Sequence, residues 1–333
     1  MPALTDSAQG PGDHGLIWGY ILDRRGGGER IGWERIATWQ PAEGLLWVHF
    51  NIGEPGPDVW LTEHSGIDPA IVATLLAEDT RPRSAPSRNG LLVILRGVNL
   101  NPGEEPDDMV SIRVWLEQSR IITARHRSLQ TSVEIRKAIE AGEGPRSAGD
   151  FLCFLVEHMV DRIGEVVDDL DENIDATEAA VNRMEVMQFR EKLSDLRRQT
   201  AHIRRFLAPQ RDALDRLYRQ PDPIMSEAEN LFIREQADRV QRYIEDLDLI
   251  RERGMVTQEE FLSRIAHEQN MRIYLLSLVA AIFLPLTFLT GLMGMNVGGL
   301  PGAASPYGFF GVIGVMLVLG GAVVIYFRRR RWL

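Results

Sequence analysis

The sequence predicts an α+β membrane protein, with an N-terminal α/β domain, a long helical stalk and two C-terminal transmembrane helices. Two apolar runs without a charged residue lie near the C-terminus, one of 21 residues at 273–293 and one of 19 at 309–327. At ~1.5 Å rise per residue the first run spans roughly 31 Å, which matches the core of a bilayer. Strand-like segments fill about the first 145 residues, and long helical patterns follow them.

These patterns divide the chain into six parts. They are a cytoplasmic α/β domain at 1–148, a cytoplasmic helical stalk at 149–272, a first transmembrane helix at 273–293, a short extracytoplasmic loop at 294–308, a second transmembrane helix at 309–327 and a cytoplasmic basic tail at 328–333.

Four segments of the N-terminal domain are typical of strands, because β-branched and aromatic residues dominate them. Their sequences are LLWVHFNI, LLVILRGVNL, MVSIRVWLE and RIITARH. Short helices are expected at 58–64 and 68–78, with Asp58 and Asp68 as N-cap residues. The segment SAPSRNG at 84–90 predicts a turn.

Three long helices are expected after the α/β domain, at 149–183, 184–219 and 226–293. The segment Pro-Asp-Pro at 221–223 separates the second from the third. The third would be roughly 100 Å long at 1.5 Å per residue, and a helix of that length needs neighbouring helices.

The orientation follows from the flanks of the apolar runs. Four arginines at 328–331 close the second run, whereas the loop between the runs contains no Lys or Arg. The positive-inside rule places this tail in the cytoplasm. Two spans then place the N-terminal domain there as well, which agrees with the absence of an apolar run in the first twenty residues.

The charge is unevenly distributed along the chain. Residues 1–268 contain 32 basic and 47 acidic residues, a net charge of −15, and the remainder carries +5. This negative charge either keeps the domain soluble or raises the local concentration of cations. No nucleic-acid partner is expected, because no basic face is available to neutralise phosphates.

The first apolar run contains a candidate pore-lining stripe. Two helices cannot enclose a polar path alone, so a pore requires several chains. Six residues fall within about 80° of arc at 100° per residue: Ile273, Leu276, Ala280, Leu284, Thr287 and Gly291. A helix-packing stripe would show the same pattern. Neither run contains an acid, a base or a histidine, which favours a cation that crosses partly hydrated.

The loop between the helices begins Gly294-Met295-Asn296. The side chain of Asn296 offers a carbonyl oxygen, a ligand suited to hard hydrated cations. A ring of such oxygens from several chains would form a filter, and the alternative is an ordinary helix cap. A second acidic feature is the helical face formed by Asp168, Asp171, Glu172 and Asp175. It is either a solvated face or a weak cation site.

Catalytic and closed metal sites are not indicated. The chain lacks nucleotide-binding and zinc-protease motifs, and its single cysteine, Cys153, has no Cys or His partner at the spacing of a tetrahedral zinc site. A catalytic pair of Cys153 and His158 is conceivable, but both are expected to face the helical core. No cofactor is expected, and a divalent cation would be cargo.

The Gly-Met-Asn triplet after the first of two C-terminal membrane helices, with four arginines at the tail, resembles the CorA family of metal ion transporters. The continuation GMNVGGLPG, the preceding FLPLTFLTGLMG, and FLAPQRD and TRPR upstream are similar to its zinc-transporting ZntB branch. The resemblance implies a homopentameric funnel in a bacterial cytoplasmic (inner) membrane. The first helices would line the pore, and Gly294, Met295 and Asn296 would form the selectivity filter.

The same resemblance implies that a proton gradient drives zinc movement. The membrane runs hold no group that titrates near neutral pH, so His267 and Glu268, just before the first run, are the proton-coupling candidates. Two other functions remain open, a magnesium or broad divalent cation channel and a membrane-anchored metal sensor or scaffold. An anchor has no need for an amide and three close glycines at a helix end.

Overall fold

The computed structural model describes residues 14–181, 184–220, 222–295 and 306–330. The chain divides into two compact units, Met1–Thr257 and Gln258–Leu333. The first unit contains a sheet and a helical bundle, and the second contains the two apolar helices.

One seven-stranded sheet forms the base of the first unit, in the order β2-β1-β3-β7-β6-β5-β4. Only β3 and β7 are parallel, and the other neighbours are antiparallel. The strands are β1 (Leu16–Leu22), β2 (Gly28–Ile31), β3 (Leu45–Asn51), β4 (Arg83–Ser87), β5 (Gly90–Gly97), β6 (Val110–Leu116) and β7 (Arg120–Arg125). All four strands predicted from the sequence are confirmed, as β3, β5, β6 and β7.

The predicted turn at 84–90 is wrong over most of its length. Residues 83–87 form β4, and only Arg88 and Asn89 make the turn to β5. Pro86 can stand within this strand because β4 lies at the edge of the sheet, where one side needs no donor. The strands β1 and β2 also extend the sheet beyond the prediction.

Short helices precede and follow β3: α1 (Trp33–Thr38), a 3₁₀ turn (Pro41–Glu43), α2 (Pro57–Val59), which continues as a turn of π-helix (Trp60–His64), and α3 (Pro69–Leu76). Asp68 is the N-cap of α3, as predicted, and its Oδ1 accepts from the N–H of Ala70 at 2.8 Å. Asp58 is not an N-cap. Gly56 holds that position in α2, and Asp58 lies within the first turn, where it accepts from the N–H of Gly56.

The predicted long helices are α5 (Ala148–Ala180), α6 (Val186–Arg219) and α7 (Glu227–Met293), and α4 (Gln130–Ala141) precedes them. Two hydrogen bonds fix α6 to the strands β4 and β5. Ser84 Oγ donates to the carbonyl of Ala213 at 2.8 Å, and the N–H of Arg96 donates to Gln210 Oε1 at 2.7 Å. The 67 residues of α7 confirm a single helix that continues through the first apolar run.

Within the first unit, α5 lies parallel to α7 and contacts it through side chains along its length. At the start of both helices, Ser147 Oγ and the N–H of Ser226 donate to the two carboxylate oxygens of Glu229, at 2.8 and 2.6 Å. Between four and five turns further along α5, the missing side chain of Gly164 leaves room for Tyr243 of α7. The Tyr243 side chain therefore packs directly against the backbone of α5 at this position.

Gly164→Ala is expected to destabilise the protein by about 1–3 kcal/mol through overpacking. A Cβ at this position would lie 2.5 Å from the Tyr243 hydroxyl and 2.9 Å from its ring carbon. Gly254→Ala in α7 is the matched control, because its Cβ would meet only side-chain methyls, of Leu193 at 3.2 Å and Ile174 at 4.0 Å, while alanine favours the helix. Chemical unfolding of the full chain in detergent measures both, and equal losses would contradict this explanation.

Candidate functional site

Two helices of the structure are long and apolar enough to cross a membrane, α7 through its C-terminal part and α8 (Gly308–Arg329). The first ends at Met293, as the sequence predicts, and α8 exceeds the predicted run at 309–327 by one residue before it and two after it. These lengths are those of bilayer-spanning segments.

The predicted pore-lining stripe lies on the uncovered face of α7. All six of its residues are exposed, including Leu276 at 72% and Leu284 at 73%. The opposite face, which includes Leu278, Ile282 and Leu289, is partly covered. The second unit therefore leaves the stripe free for contact with other chains or with a permeating ion.

Thr287 supplies the hydroxyl of this stripe. Its Oγ1 donates to the carbonyl of Phe283 at 2.8 Å, so the oxygen lone pairs remain free to accept. Pro285 lies in the same turn and has no N–H, yet α7 continues through it to Met293. The Thr287 hydroxyl is thus able to accept a further hydrogen bond on an otherwise apolar stripe.

The predicted filter begins where α7 ends. The N–H of Gly294 donates to the carbonyl of Thr290 at 2.9 Å and completes the last helical turn, and Met295 is half exposed beyond it. Asn296 lies outside the described residues, so its position in the pathway stays a prediction.

Arg253 of α7 occupies part of the acidic face predicted on α5. Its guanidinium contacts Asp171 at 2.9 Å, Glu178 at 2.7 Å, and Asp175. Hydrogen bonds that Arg253 donates to Glu178 and then to Asp175 hold the pKa of Arg253 above its usual range. The described parts of the chain contain no group of three or more His, Cys, Asp or Glu placed to hold a metal.

The weak cation site expected from Asp168, Asp171, Glu172 and Asp175 stays a prediction. Arg253 already neutralises two of these four carboxylates, Asp171 and Asp175, and leaves the other two exposed. Arg253 is the residue that the sequence analysis missed. The parallel course of α5 and α7, which places this arginine opposite the acidic face, could not be read from either helix alone.

The two proton-coupling candidates lie on an exposed segment of α7 before the apolar run. His267 and Glu268 are both exposed, and Glu268 Oε1 accepts from Arg264 Nε at 2.9 Å, one turn earlier. The structure places both residues on α7 five or six positions before Ile273.

Cys153 and His158 do not form a catalytic pair. The thiol of Cys153 is buried against the carbonyl of Glu229 at 3.7 Å, and burial raises its pKa to about 12. The ring of His158 stacks on Phe154, and its Nδ1 lies 2.9 Å from the carbonyl of the same residue. Among the residues that the structure describes, the thiol contacts a backbone carbonyl and no activating base.

The buried histidine of the sheet is also no metal ligand. Arg125 Nε donates to His49 Nε2 at 3.2 Å, and His49 Nδ1 lies 2.8 Å from Thr123 Oγ1. Complete burial lowers the pKa of His49 to about 3. Both ring nitrogens are thus used in the core, and the imidazole is neutral.

Comparison with known proteins agrees with this architecture. Residues 42–329 match the family model described as CorA-like Mg2+ transporter protein. The chain is 40% identical to the divalent cation transporter CmaX of Pseudomonas aeruginosa over 96% of this chain and 98% of that protein. It is 34% identical to the zinc transport protein ZntB of Pectobacterium atrosepticum, with 96% of each chain covered.

Solved structures give the same result. The full-length structure of CmaX matches with a TM-score of 0.85 at 38% identity, and the alignment covers 97% of this chain and all of that one. The CorA magnesium transporter from Methanocaldococcus jannaschii matches with a TM-score of 0.80 over 95% of this chain and 98% of that one, at 18% identity, which shows the shared fold alone.

The family model and the identities confirm the predicted CorA resemblance. The narrower assignment to the ZntB branch is not established, because the identity to CmaX is 40% and the identity to ZntB is 34%. The family match and the 40% identity to a divalent cation transporter show a transporter rather than an enzyme. The chain is a membrane protein that belongs to the CorA family of divalent cation transporters.

Proposed function

We propose that five copies of this chain form a pore that conducts zinc across a bacterial cytoplasmic membrane. The observation that carries the proposal is the uncovered stripe from Ile273 to Gly291 on α7, which contains one hydroxyl and leads to the Gly-Met-Asn triplet. A single chain has no second surface with which to close a channel around this stripe.

Exposed apolar side chains on the stalk part of α7 support assembly of several chains. Leu249 and Val256 are 54% and 52% exposed and lie seven residues apart, so they share one face of the helix. Such an apolar face is expected to pack against the same helix of a neighbouring subunit. Native mass spectrometry in detergent should find five chains, and a monomer that still transports would contradict the assembly.

The proposed orientation places both termini in the cytoplasm. Arg328 and Arg329 are in the last turn of α8, and the loop before it contains no basic residue. The acidic first unit would then lie on the cytoplasmic side, where its negative charge attracts cations toward the pore.

Zinc as the cargo is supported by similarity of sequence and not by a ligand set in the structure. The triplet and its continuation GMNVGGLPG resemble the ZntB branch, and a relative with 34% identity is named a zinc transport protein. A partly hydrated cation needs only oxygen ligands such as Thr287 and Asn296, so the pathway itself admits several divalent ions.

A magnesium or broad divalent cation channel is the second candidate. The matching family model is described as CorA-like Mg2+ transporter, and the relative with 40% identity is named a divalent cation transporter. Uptake of zinc, magnesium, nickel and cobalt into proteoliposomes distinguishes the candidates. The proposal requires zinc to enter fastest, and comparable entry of all four would favour the broad channel.

His267→Ala and Glu268→Gln are expected to change the pH dependence of zinc uptake more than any substitution within the apolar runs. Both residues are exposed before the first run, and the runs themselves contain no acid, base or histidine. Glu268→Gln also removes the ion pair with Arg264, so Arg264→Gln is the control for that loss. The measurement is zinc uptake with and without an imposed pH gradient.

If the gradient drives uptake equally in the wild type and in the double variant, these two residues are not the coupling site. Movement of water or hydroxide together with the metal would then better explain how the pH gradient drives zinc uptake. If Arg264→Gln alone reproduces the effect, the ion pair and not the proton carrier is responsible.

A further inference from the structure

The helices α5 and α6 carry opposite charge. Within Ala148–Ala180 there are ten acidic residues and one arginine, a net charge of −9. Within Val186–Arg219 there are nine basic and four acidic residues, a net charge of +5. A chain with a net charge of −10 thus contains one strongly basic helix beside its most acidic one.

The ion pairs of α5 leave part of its acidic face exposed. Arg253 contacts the carboxylates nearest to α7, while Asp168, Asp169 and Glu172 lie exposed within about 100° of helical arc. Burial raises the pKa of the neighbouring Asp246 on α7, and the charges of Asp171 and Asp168 raise it further. We name the residues Asp168, Asp169, Glu172 and Asp246 the acidic flank.

An exposed basic stripe lies on α6. Arg190, Arg197 and Arg205 are exposed and fall, with Ala201 between them, within about 80° of arc. Arg204, next to this stripe, reaches Asp248 of α7 at 2.8 Å. We name the residues Arg190, Arg197, Ala201 and Arg205 the basic flank.

The two flanks lie on different sides of α7, as the contacts of α5 and α6 with α7 show. On one side α5 reaches α7 through Arg253, and on the other α6 reaches it through Arg204. The two flanks also lie at the same level along the bundle. Asn173 of α5 and Gln199 of α6 line one cavity between these antiparallel helices, so residues 168–172 lie opposite about 199–203, between Arg197 and Arg205.

We propose that the acidic flank of one subunit docks on the basic flank of the next, with a second copy of this chain as the only partner. In a closed ring each subunit contacts its two neighbours through two different surfaces, and these surfaces lie at the same height along the ring axis. The two flanks satisfy both conditions, and their charges are complementary. Exposed pairs of this kind set the orientation and the register of a complex more than its affinity. This inference rests on the proposed pentamer.

The presence of only one cysteine allows a direct test. Glu172→Cys and Ala201→Cys, combined in one chain with Cys153→Ser, place two thiols on the flanks at one level. Mild oxidation should yield covalent ladders of up to five chains, with about tenfold more product than the control pair Ala201→Cys and Arg88→Cys, because neighbouring thiols have a high effective concentration. Arg88 lies exposed at the turn between β4 and β5 and belongs to neither α5 nor α6.

Charge exchange tests the pairing itself. Asp168→Arg with Glu172→Arg should lower the pentamer fraction in native mass spectrometry, and so should Arg197→Glu with Arg205→Glu. The four substitutions together should restore it, and the differences should shrink at high salt. If the pentamer forms and transports but the thiols do not cross-link, or the combined exchange restores nothing, the flank contact is wrong while the proposed function stands. If wild-type protein is never pentameric, the proposed function fails as well.

Discussion

Asn296→Ala is expected to lower divalent cation uptake by at least about tenfold while the protein still folds and assembles. The substitution removes the single side-chain amide of the loop at 294–308, and with it the carbonyl oxygen that would replace outer-shell water of the ion. Proteoliposome uptake measures the flux, and native mass spectrometry checks the assembly of the same preparation.

Asn296→Asp is the matched variant, because it keeps an oxygen at this position and adds a charge. A ring of carboxylates should bind the cation more tightly and release it more slowly, so binding and flux should change in opposite directions. Wild-type flux in Asn296→Ala would show that the amide is an ordinary helix cap.

Modification of Ala280→Cys by a bulky, water-soluble thiol reagent is expected to lower uptake by at least about tenfold, since the product would fill the pathway in every subunit. Ala280 lies on the uncovered stripe of α7. Ala281→Cys is the matched control, because it begins from the same residue type and lies 100° further around the helix, on the partly covered side.

The single native cysteine, Cys153, is buried in the first unit, so the reagent should reach only the introduced thiol. Equal inhibition of both variants would mean that the stripe is a packing surface, which the sequence pattern alone also allowed. No inhibition of either variant would place the pathway elsewhere on the helix.

The membrane part of the fold could be predicted from the sequence because its signal is strong and local. A run of 21 residues without a charge has few alternatives to a membrane span, and α7 ends at Met293 as predicted.

The edge strands of the sheet were harder to predict, because their sequence pattern is weaker. The strand β4 contains Pro86 and two serines, which are turn residues in most contexts and are tolerated only because one side of this strand is unpaired.

The position of Arg253 shows why the residues on one helical face do not fully describe a site. Periodicity correctly placed Asp171 and Asp175 on one surface, but it does not report what the opposing helix brings to that surface. Arg253 is 78 residues after Asp175 in the chain and contacts it through the parallel packing of α5 and α7. A contact between residues so far apart in the sequence depends on tertiary packing, which a local sequence pattern does not predict.

The central claim is that the chain selects zinc, and competition tests it most directly. Uptake of radioactive zinc into proteoliposomes should persist in a large excess of magnesium, and Asn296→Ala should abolish it under the same conditions. Suppression of zinc uptake by magnesium, with magnesium entering in its place, would contradict the claim and identify a magnesium channel of the same family.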